Sequence, residues 1–420
     1  MTSLPLFSTT LTRRRDAAPD AGNIATLCVL TLASLGMVMA VSVSGAGVTL
    51  KNGQEVIAGP FPVIIAQGIK LLAGVAAFAI AASVPLHRMR RHALQVFGVG
   101  LALCLLAAFA GPSINNARRW LVLAGQSFQP VEILKLGLVL ALARLIVDRP
   151  ARLTEFRRGF LLLLLPVVLA LGVVLIQPDV GSAILLVVAG LVVLRVAGVR
   201  RGYFLWGVPP VVLAAAWYGL TRLNHLRVRW HGFINPAPTD QLSQGLVALS
   251  SGGFLGKGLG QGFMKYGFVP EARNDFLFAI IGEELGFLGC FAVLLLFCLF
   301  GYAGLKAALN ARDRFAGLVA CGLTAVIVLQ AFFNMAVVTG CIPTKGIDLP
   351  FLSSGGTNLL GAMAAAGLVV RVGRALGRAR GRGAAGEAEP MHFADHGVSG
   401  HAADLLGDLG RGMAFSPQLL

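Results

Sequence analysis

Between Gly267 and Gly286 the chain reads GFVPEARNDFLFAIIGEELG. Glu271, Arg273 and Asp275 stand just ahead of a strongly apolar run, and Glu283 and Glu284 lie inside it. A charged residue at the centre of a membrane helix costs about 2.5–3.5 kcal/mol on insertion scales. These groups therefore either pair with basic neighbours or act on a charged substrate. Asp275 falls where a polar loop meets an apolar helix. A carboxylate there can reach both a watery sugar hydroxyl and a membrane-bound electrophile, and could accept the hydroxyl proton. Burial would raise its proton affinity and nearby arginines would lower it. The competing reading is a helix N-cap, since Asn274 and Asp275 both suit capping. Glu283 and Glu284 diverge by about 100° around a helix, so at most one shares a face with Asp275, and Glu283 is the nearer. The pair is expected to be structural, binding lysines or backbone groups between helices.

Other polar groups are scattered among apolar segments. Glu132 and Lys135 are spaced i,i+3 on one helical face, as a neutralising ion pair or as a substrate contact. Asp179 lies in QPDVGS, where it could cap the following helix or face a ligand. Arg118 and Arg119 in ARRW, with Lys257, Lys265 and Lys345, are cations suited to a lipid-linked phosphate; interfacial snorkelling is the alternative. Lys70 sits inside an apolar run and calls for a carboxylate partner. The glycine-rich run SSGGFLGKGLGQG, Ser251 to Gly262, is a weak nucleotide signal because no strand precedes it. Its glycines instead let the backbone turn and lie close to a substrate or a membrane. Cys28, Cys104, Cys290, Cys298, Cys321 and Cys341 have no metal-like spacing and read as packing residues. The histidines form no ligand pattern. A divalent cation, Mg2+ or Mn2+, could assist a pyrophosphate, but no metal site is defined.

The elements that must position these residues follow from composition. The chain has 420 residues, 56% of them hydrophobic and 13% charged, and its mean hydropathy is +0.78. Apolar runs of about 20 residues recur from end to end, which makes an all-α polytopic membrane protein. Barrel-type alternation is absent. Net charge is +16, yet most of the basic residues sit in short loops on one side, so nucleic acid is not the expected partner. Ten spans are predicted, at 23–44, 61–85, 92–111, 130–147, 159–177, 180–199, 203–222, 275–305, 315–340 and 357–376. Arginine or lysine precedes the first span and follows every even-numbered one, so both termini are expected to be cytoplasmic. A long extracytoplasmic loop, 222–274, joins helices 7 and 8 and is expected to be ordered against the bilayer. Pro209 and Pro210 should kink or interrupt the seventh span. Residues 1–22 and 377–420 read as cytoplasmic tails, the second flexible.

Taken in order, ARRW, QSFQPVEILKL, IQPDVGSA, SQGLVALSSGGFLGKGLGQG, VPEARNDFLFAIIGEELG, NMAVVTGCIPTKG and LPFLSSGG resemble the SEDS family (shape, elongation, division and sporulation), which includes FtsW, RodA and SpoVE. PEA, IIGEELG and PTKG lean towards its division branch. The resemblance covers about 23–376. It implies a ten-span peptidoglycan glycosyltransferase of the inner membrane that polymerises lipid II into β-1,4-linked glycan and releases undecaprenyl pyrophosphate. It also implies a class B penicillin-binding protein (a transpeptidase) and other divisome membrane proteins as partners. The family's catalytic aspartate falls on Asp275, and its other functional positions fall on Arg118, Trp120, Glu132, Lys135, Asp179, Lys345, Ser353 and Gly355. Arg273, Asn274, Ser354, Thr357 and Asn358 depart from the family pattern, which bears on substrate affinity and the shape of the outer pocket. A lipid II flippase and a non-catalytic transpeptidase scaffold are the rival readings.

Overall fold

The computed structural model describes residues 20–44, 48–51, 54–57, 60–113, 117–123, 125–149, 155–222, 230, 232–235, 237 and 240–386. Arg13, Arg14, Arg15, Arg152, Arg227 and Arg229, most of the expected N-terminal tail, and the chain beyond 386 lie outside these residues. Contacts divide the chain at Arg378, and everything below concerns the unit that ends there.

Each predicted span meets a helix. These are α1 (Ala21–Ser44), α2 (Pro60–Ser83), α3 (Leu86–Ala110), α4 (Val131–Asp148), α5 (Leu161–Ile176), α6 (Val180–Val196) and α7 (Arg201–Arg222). After a shorter α8 (Gln241–Ser251) come α9 (Leu277–Leu309), α10 (Arg314–Val338) and α11 (Gly356–Gly386). A π-helical turn, Phe156–Phe160, leads into α5. Six of these helices are long and apolar enough to cross a membrane: α1, α2, α3, α9, α10 and the Gly356–Arg374 part of α11. Among the others, α4 is apolar in its middle but carries Glu132, Lys135, Arg144 and Asp148 within one helix.

Several expectations need correction. The chain is not wholly helical, because two short antiparallel hairpins fill connections between helices: β1 (Val48–Lys51) with β2 (Gln54–Ile57), and β3 (Leu121–Leu123) with β4 (Gln126–Phe128). Short hairpins satisfy the backbone of connections too brief for another helix. Of the two outcomes expected at Pro209 and Pro210, interruption does not occur, since α7 runs through both.

Burial follows the packing. Residues 137–143 of α4 are all buried, and α10 is buried on most of its faces, so these helices form the centre. α3 packs on α4, and α9 packs on both α10 and α1. α2 lies at the rim, with Phe61, Ile65, Ile69 and Leu72 more than 60% exposed, as suits a face turned to lipid.

A break in α9 was not foreseen. Gly286 has φ 68° and ψ −165°, so the helix stops and restarts there. Two helical hydrogen bonds cannot cross that point, and the glycine-rich segment after α8 replaces both. The amides of Lys257 and Gly258 donate to the carbonyls of Glu283 and Glu284, at 3.0 and 2.9 Å. The carbonyls of Gly253 and Phe254 accept from Phe287 and Leu288, at 3.0 and 3.3 Å. Irregular backbone among apolar helices is tolerated when protein groups satisfy it in this way.

Candidate functional site

A cavity of about 520 Å3 opens where the connections at one end of the bundle converge. Its walls come from the segment before β3, from β4, the start of α4, the α5–α6 turn, the loop before α9, and the α10–α11 loop. Asp275 lines it. The helix that follows takes Phe276 as its N-cap residue, which makes no side-chain cap bond. The loop carrying Asp275 is closed by a turn in which Asn274 and Phe276 donate their amides to the Glu271 carbonyl, at 3.0 and 3.2 Å. Glu271 adopts a left-handed φ of 55°, and its carboxylate accepts from Asn274 Nδ2 at 2.9 Å.

Most of the predicted polar residues meet on this wall. Glu132 and Lys135 form an ion pair of 2.8 Å and are both buried, and both line the cavity. Lys135 Nζ also donates to Gln330 Oε1 at 2.7 Å. The two readings of this pair are therefore compatible. The same is true of Asp179: it caps α6, accepting from the Ser182 amide at 3.2 Å and the Ser182 hydroxyl at 2.7 Å, and it also faces the cavity. Arg119 approaches it at 4.0 Å, while the buried Arg119 Nε has no hydrogen-bond partner. Trp120, Glu271, Lys345 and Gly355 complete the set of predicted residues on the lining.

Most other predicted residues lie elsewhere. Arg118 is exposed and donates to the Phe109 carbonyl at 3.3 Å; the following residue, Arg119, takes the inward position. Lys265 is buried away from the cavity, its ammonium donating to Glu284 at 2.7 Å, to Gly260 O at 2.7 Å and to Ser42 Oγ at 3.0 Å. A buried ammonium needs such partners, which is why Lys265 is not offered to a ligand. Ser353 is also corrected to an internal role: its hydroxyl donates to Asn274 O and accepts from the Leu349 amide, both at 2.8 Å. Arg273 is exposed and off the lining, and its carbonyl accepts from the Ser354 amide at 3.1 Å. Lys70 finds no carboxylate among the described residues; its ammonium donates to the Ser354 carbonyl at 3.0 Å and lines the cavity.

Glu283 and Glu284 knot the broken helix. Glu283 accepts from Lys257 Nζ and from the Phe263 and Met264 amides, at 2.8, 2.9 and 3.1 Å. Glu284 accepts from Lys265 and from the Ser42 hydroxyl, both at 2.7 Å, and from the Gly260 amide at 3.0 Å. They hold the glycine-rich segment against α9 and leave the cavity to Asp275.

Three residues on the wall or behind it escaped the sequence reading. Gln330 and Asn334 stand i,i+4 on the otherwise apolar α10. Asn334 Nδ2 donates to the carbonyls of Asp275 and Ile347, both at 2.7 Å, and so ties together the two loops that face each other. Gln330 Nε2 donates to Asp348 O and Asn358 Oδ1, at 2.9 and 2.8 Å. The third is Asp348, which lines the same cavity as Asp275. Their signal was present in the chain: a pair of amides one helical turn apart, and an acid set between Ile347 and Leu349. Among the described residues no group of three or more His, Cys, Asp and Glu converges as a metal site.

The cavity thus gathers Lys70, Arg119, Lys135 and Lys345 with Glu132, Asp179, Glu271, Asp275 and Asp348. Such a wall can hold an anionic group and place a base beside it. The sequence model of a family described as cell cycle protein, FtsW/RodA/SpoVE, matches residues 23–377. The chain is 32% identical over 354 residues to a probable peptidoglycan glycosyltransferase FtsW of Geobacter metallireducens, covering 82% of this chain and 92% of the relative. It is 36% identical over 288 residues to stage V sporulation protein E of Bacillus subtilis, covering 67% and 78%. Among solved structures it is similar to a chain of a peptidoglycan synthase complex, with TM-score 0.68 and 28% identity over 84% of this chain and 97% of the other. It is also similar to the rod shape determining protein RodA of Thermus thermophilus, with TM-score 0.60 and 27% identity over 83% and 95%.

Proposed function

Because this chain belongs to the FtsW/RodA/SpoVE family of cell cycle proteins, we propose that it polymerises lipid II at the outer face of the cytoplasmic membrane with Asp275 as the general base. It is a peptidoglycan glycosyltransferase and a multi-pass inner-membrane protein, and a septal role fits the names of its relatives. One observation carries the assignment of the base: Asp275 lines a cavity whose walls also hold Arg119, Lys345 and Lys135.

In this reading the polyprenyl tail lies along apolar helix faces and the pyrophosphate meets Arg119 and Lys345. The acceptor GlcNAc 4-hydroxyl gives its proton to Asp275 as its oxygen attacks the MurNAc anomeric carbon. The bond to pyrophosphate breaks with inversion, and the departing charge is stabilised by those cations. Glu132, Lys135 and Asp179 shape the wall and balance its charge.

Ten crossings with both termini inside remain our reading of the topology. It is supported by Arg88, Arg90, Arg91, Arg195, Arg200, Lys306, Arg312 and Arg314, which flank the connections at the end of the bundle opposite the cavity. A class B penicillin-binding protein is the proposed partner, supported by the likeness to a chain of a peptidoglycan synthase complex.

Purified protein in detergent, supplied with lipid II, tests the activity with no second compartment present. Glycan polymer is the expected product. No polymer in detergent, with transbilayer movement of lipid II in liposomes, would make the protein a flippase instead.

A further inference from the structure

Lys70 stands in an apolar helix, and its place follows from the helical period. Residues four apart share a face, so Lys70, Gly74 and Phe78 belong to one stripe of α2. That stripe packs on α11. A Cβ on Gly74 would lie 3.3 Å from Met363 and 3.4 Å from Leu359, and the Phe78 carbonyl lies where a Cβ of Gly367 would go. Lys70 heads the stripe where it reaches the cavity. Its stem crosses Gly356, the first residue of α11: Cγ, Cδ and Cε lie between 3.5 and 3.7 Å from where a Cβ there would stand. Ile69 and Leu72, on other faces of α2, are exposed as lipid-facing residues are. Lys70 thus stands between the bilayer and the cavity.

Two other cations on the lining meet carboxylates of the protein. Lys135 pairs with Glu132 at 2.8 Å, and Arg119 approaches Asp179 at 4.0 Å. Lys70 is half-buried, and among the described residues its ammonium has one acceptor, the neutral Ser354 carbonyl at 3.0 Å. An ammonium carries three hydrogens, and a cation screened from water calls for a counter-charge. Two of its hydrogens are left for a ligand. The start of α11 beside it adds the positive partial charge of a helix N-terminus. Joining two lipid-linked saccharides brings two diphosphates to the cavity, and Arg119 and Lys345 answer for one.

We propose that Lys70 is a substrate-binding residue whose ammonium holds a lipid-linked diphosphate, the tail of which stays in the bilayer beside α2. This rests on the reading of the cavity as the site of lipid II polymerisation. A lysine acts as a compact point charge on phosphate oxygens. No bond forms or breaks at Lys70; it holds the anion while the sugars react.

The test uses the full-length protein in detergent. Affinity for undecaprenyl pyrophosphate is read from the concentration that gives half of its full thermal stabilisation. Lys70→Gln should raise that concentration about tenfold. Lys70→Arg keeps the charge and should bind within about threefold of wild type. The second arm is polymerisation, where the loss in kcat/KM of Lys70→Gln should fall mainly on the KM for lipid II. The two arms separate the sources of the diphosphate: a moved KM marks the substrate, and moved protection alone marks the released carrier. If neither moves, the proposal is overturned. Equal impairment of both variants, with a lowered melting temperature before ligand is added, would show a merely structural role and also overturn it. Inorganic pyrophosphate that protects wild type as well as the lipid does would overturn the lipid-linked assignment. Absence of polymer from wild type would count against the enzymatic reading itself, and the binding arm, which needs no turnover, would still judge Lys70.

Discussion

Asp275 and Lys265 show how much depends on where a charged side chain ends. Both belong to the loop before α9, yet one carboxylate faces the cavity and one ammonium is consumed by Glu284. Asp275→Asn keeps shape and removes the base. General-base contributions are on the order of 10²–10⁴ in rate, so polymerisation should fall by at least a hundredfold while the melting temperature in detergent holds; normal glycan chains from this variant would take Asp275 out of the mechanism. The buried Glu132–Lys135 pair belongs to the same scale. Removing one partner strands a charge and typically costs about 3–5 kcal/mol, whereas replacing both is far milder. Thermal unfolding should therefore rank Lys135→Met below the double variant Glu132→Gln/Lys135→Met. The reverse order would mean that the pair is not what holds α4 in place.

At the scale of elements, the break in α9 is the feature that positions the loop ahead of it. The segment after α8 is stitched into the gap through four backbone hydrogen bonds and the carboxylates of Glu283 and Glu284. Gly286 is required there on two counts: its positive φ, and the backbone of Gly256 lying where a Cβ would go. Gly286→Ala should lower stability by about 1–3 kcal/mol from backbone strain alone, and further because Gly256 must move. A melting temperature equal to wild type would show that the break is not fixed by this contact. The break also explains why two adjacent glutamates survive in an apolar run. Their partners are loop amides and lysines, delivered by a segment whose glycines the sequence reading assigned to turning the backbone and lying close to a substrate or a membrane.

For the whole molecule, the charge asymmetry and the cavity lie at opposite ends of the bundle. Cys341 follows α10 at the cavity end and is exposed. A variant keeping only this cysteine should react with a membrane-impermeant thiol reagent on intact cells whose outer barrier has been opened. Labelling that requires disruption of the inner membrane would invert the topology and put Asp275 on the wrong side for lipid-linked glycan synthesis.

Hydropathy periods and loop arginines made the helices and their order legible from the chain alone, because each is a local property of some twenty residues and the solvent that they meet. Asp275 was legible for the same reason: an acid at the edge of an apolar run is costly wherever the rest of the chain goes. Which cations share its cavity was not. Arg118 and Arg119 are neighbours in sequence, and only the turn of the segment before β3 sends the second inward. Asp348 drew no attention among apolar residues, and the clamp of Asn334 across two distant loops is what brings its loop to that of Asp275. Contacts between segments far apart in sequence depend on how buried polar groups find one another as the helices pack. That pairing is decided by tertiary structure, since no single segment contains both partners.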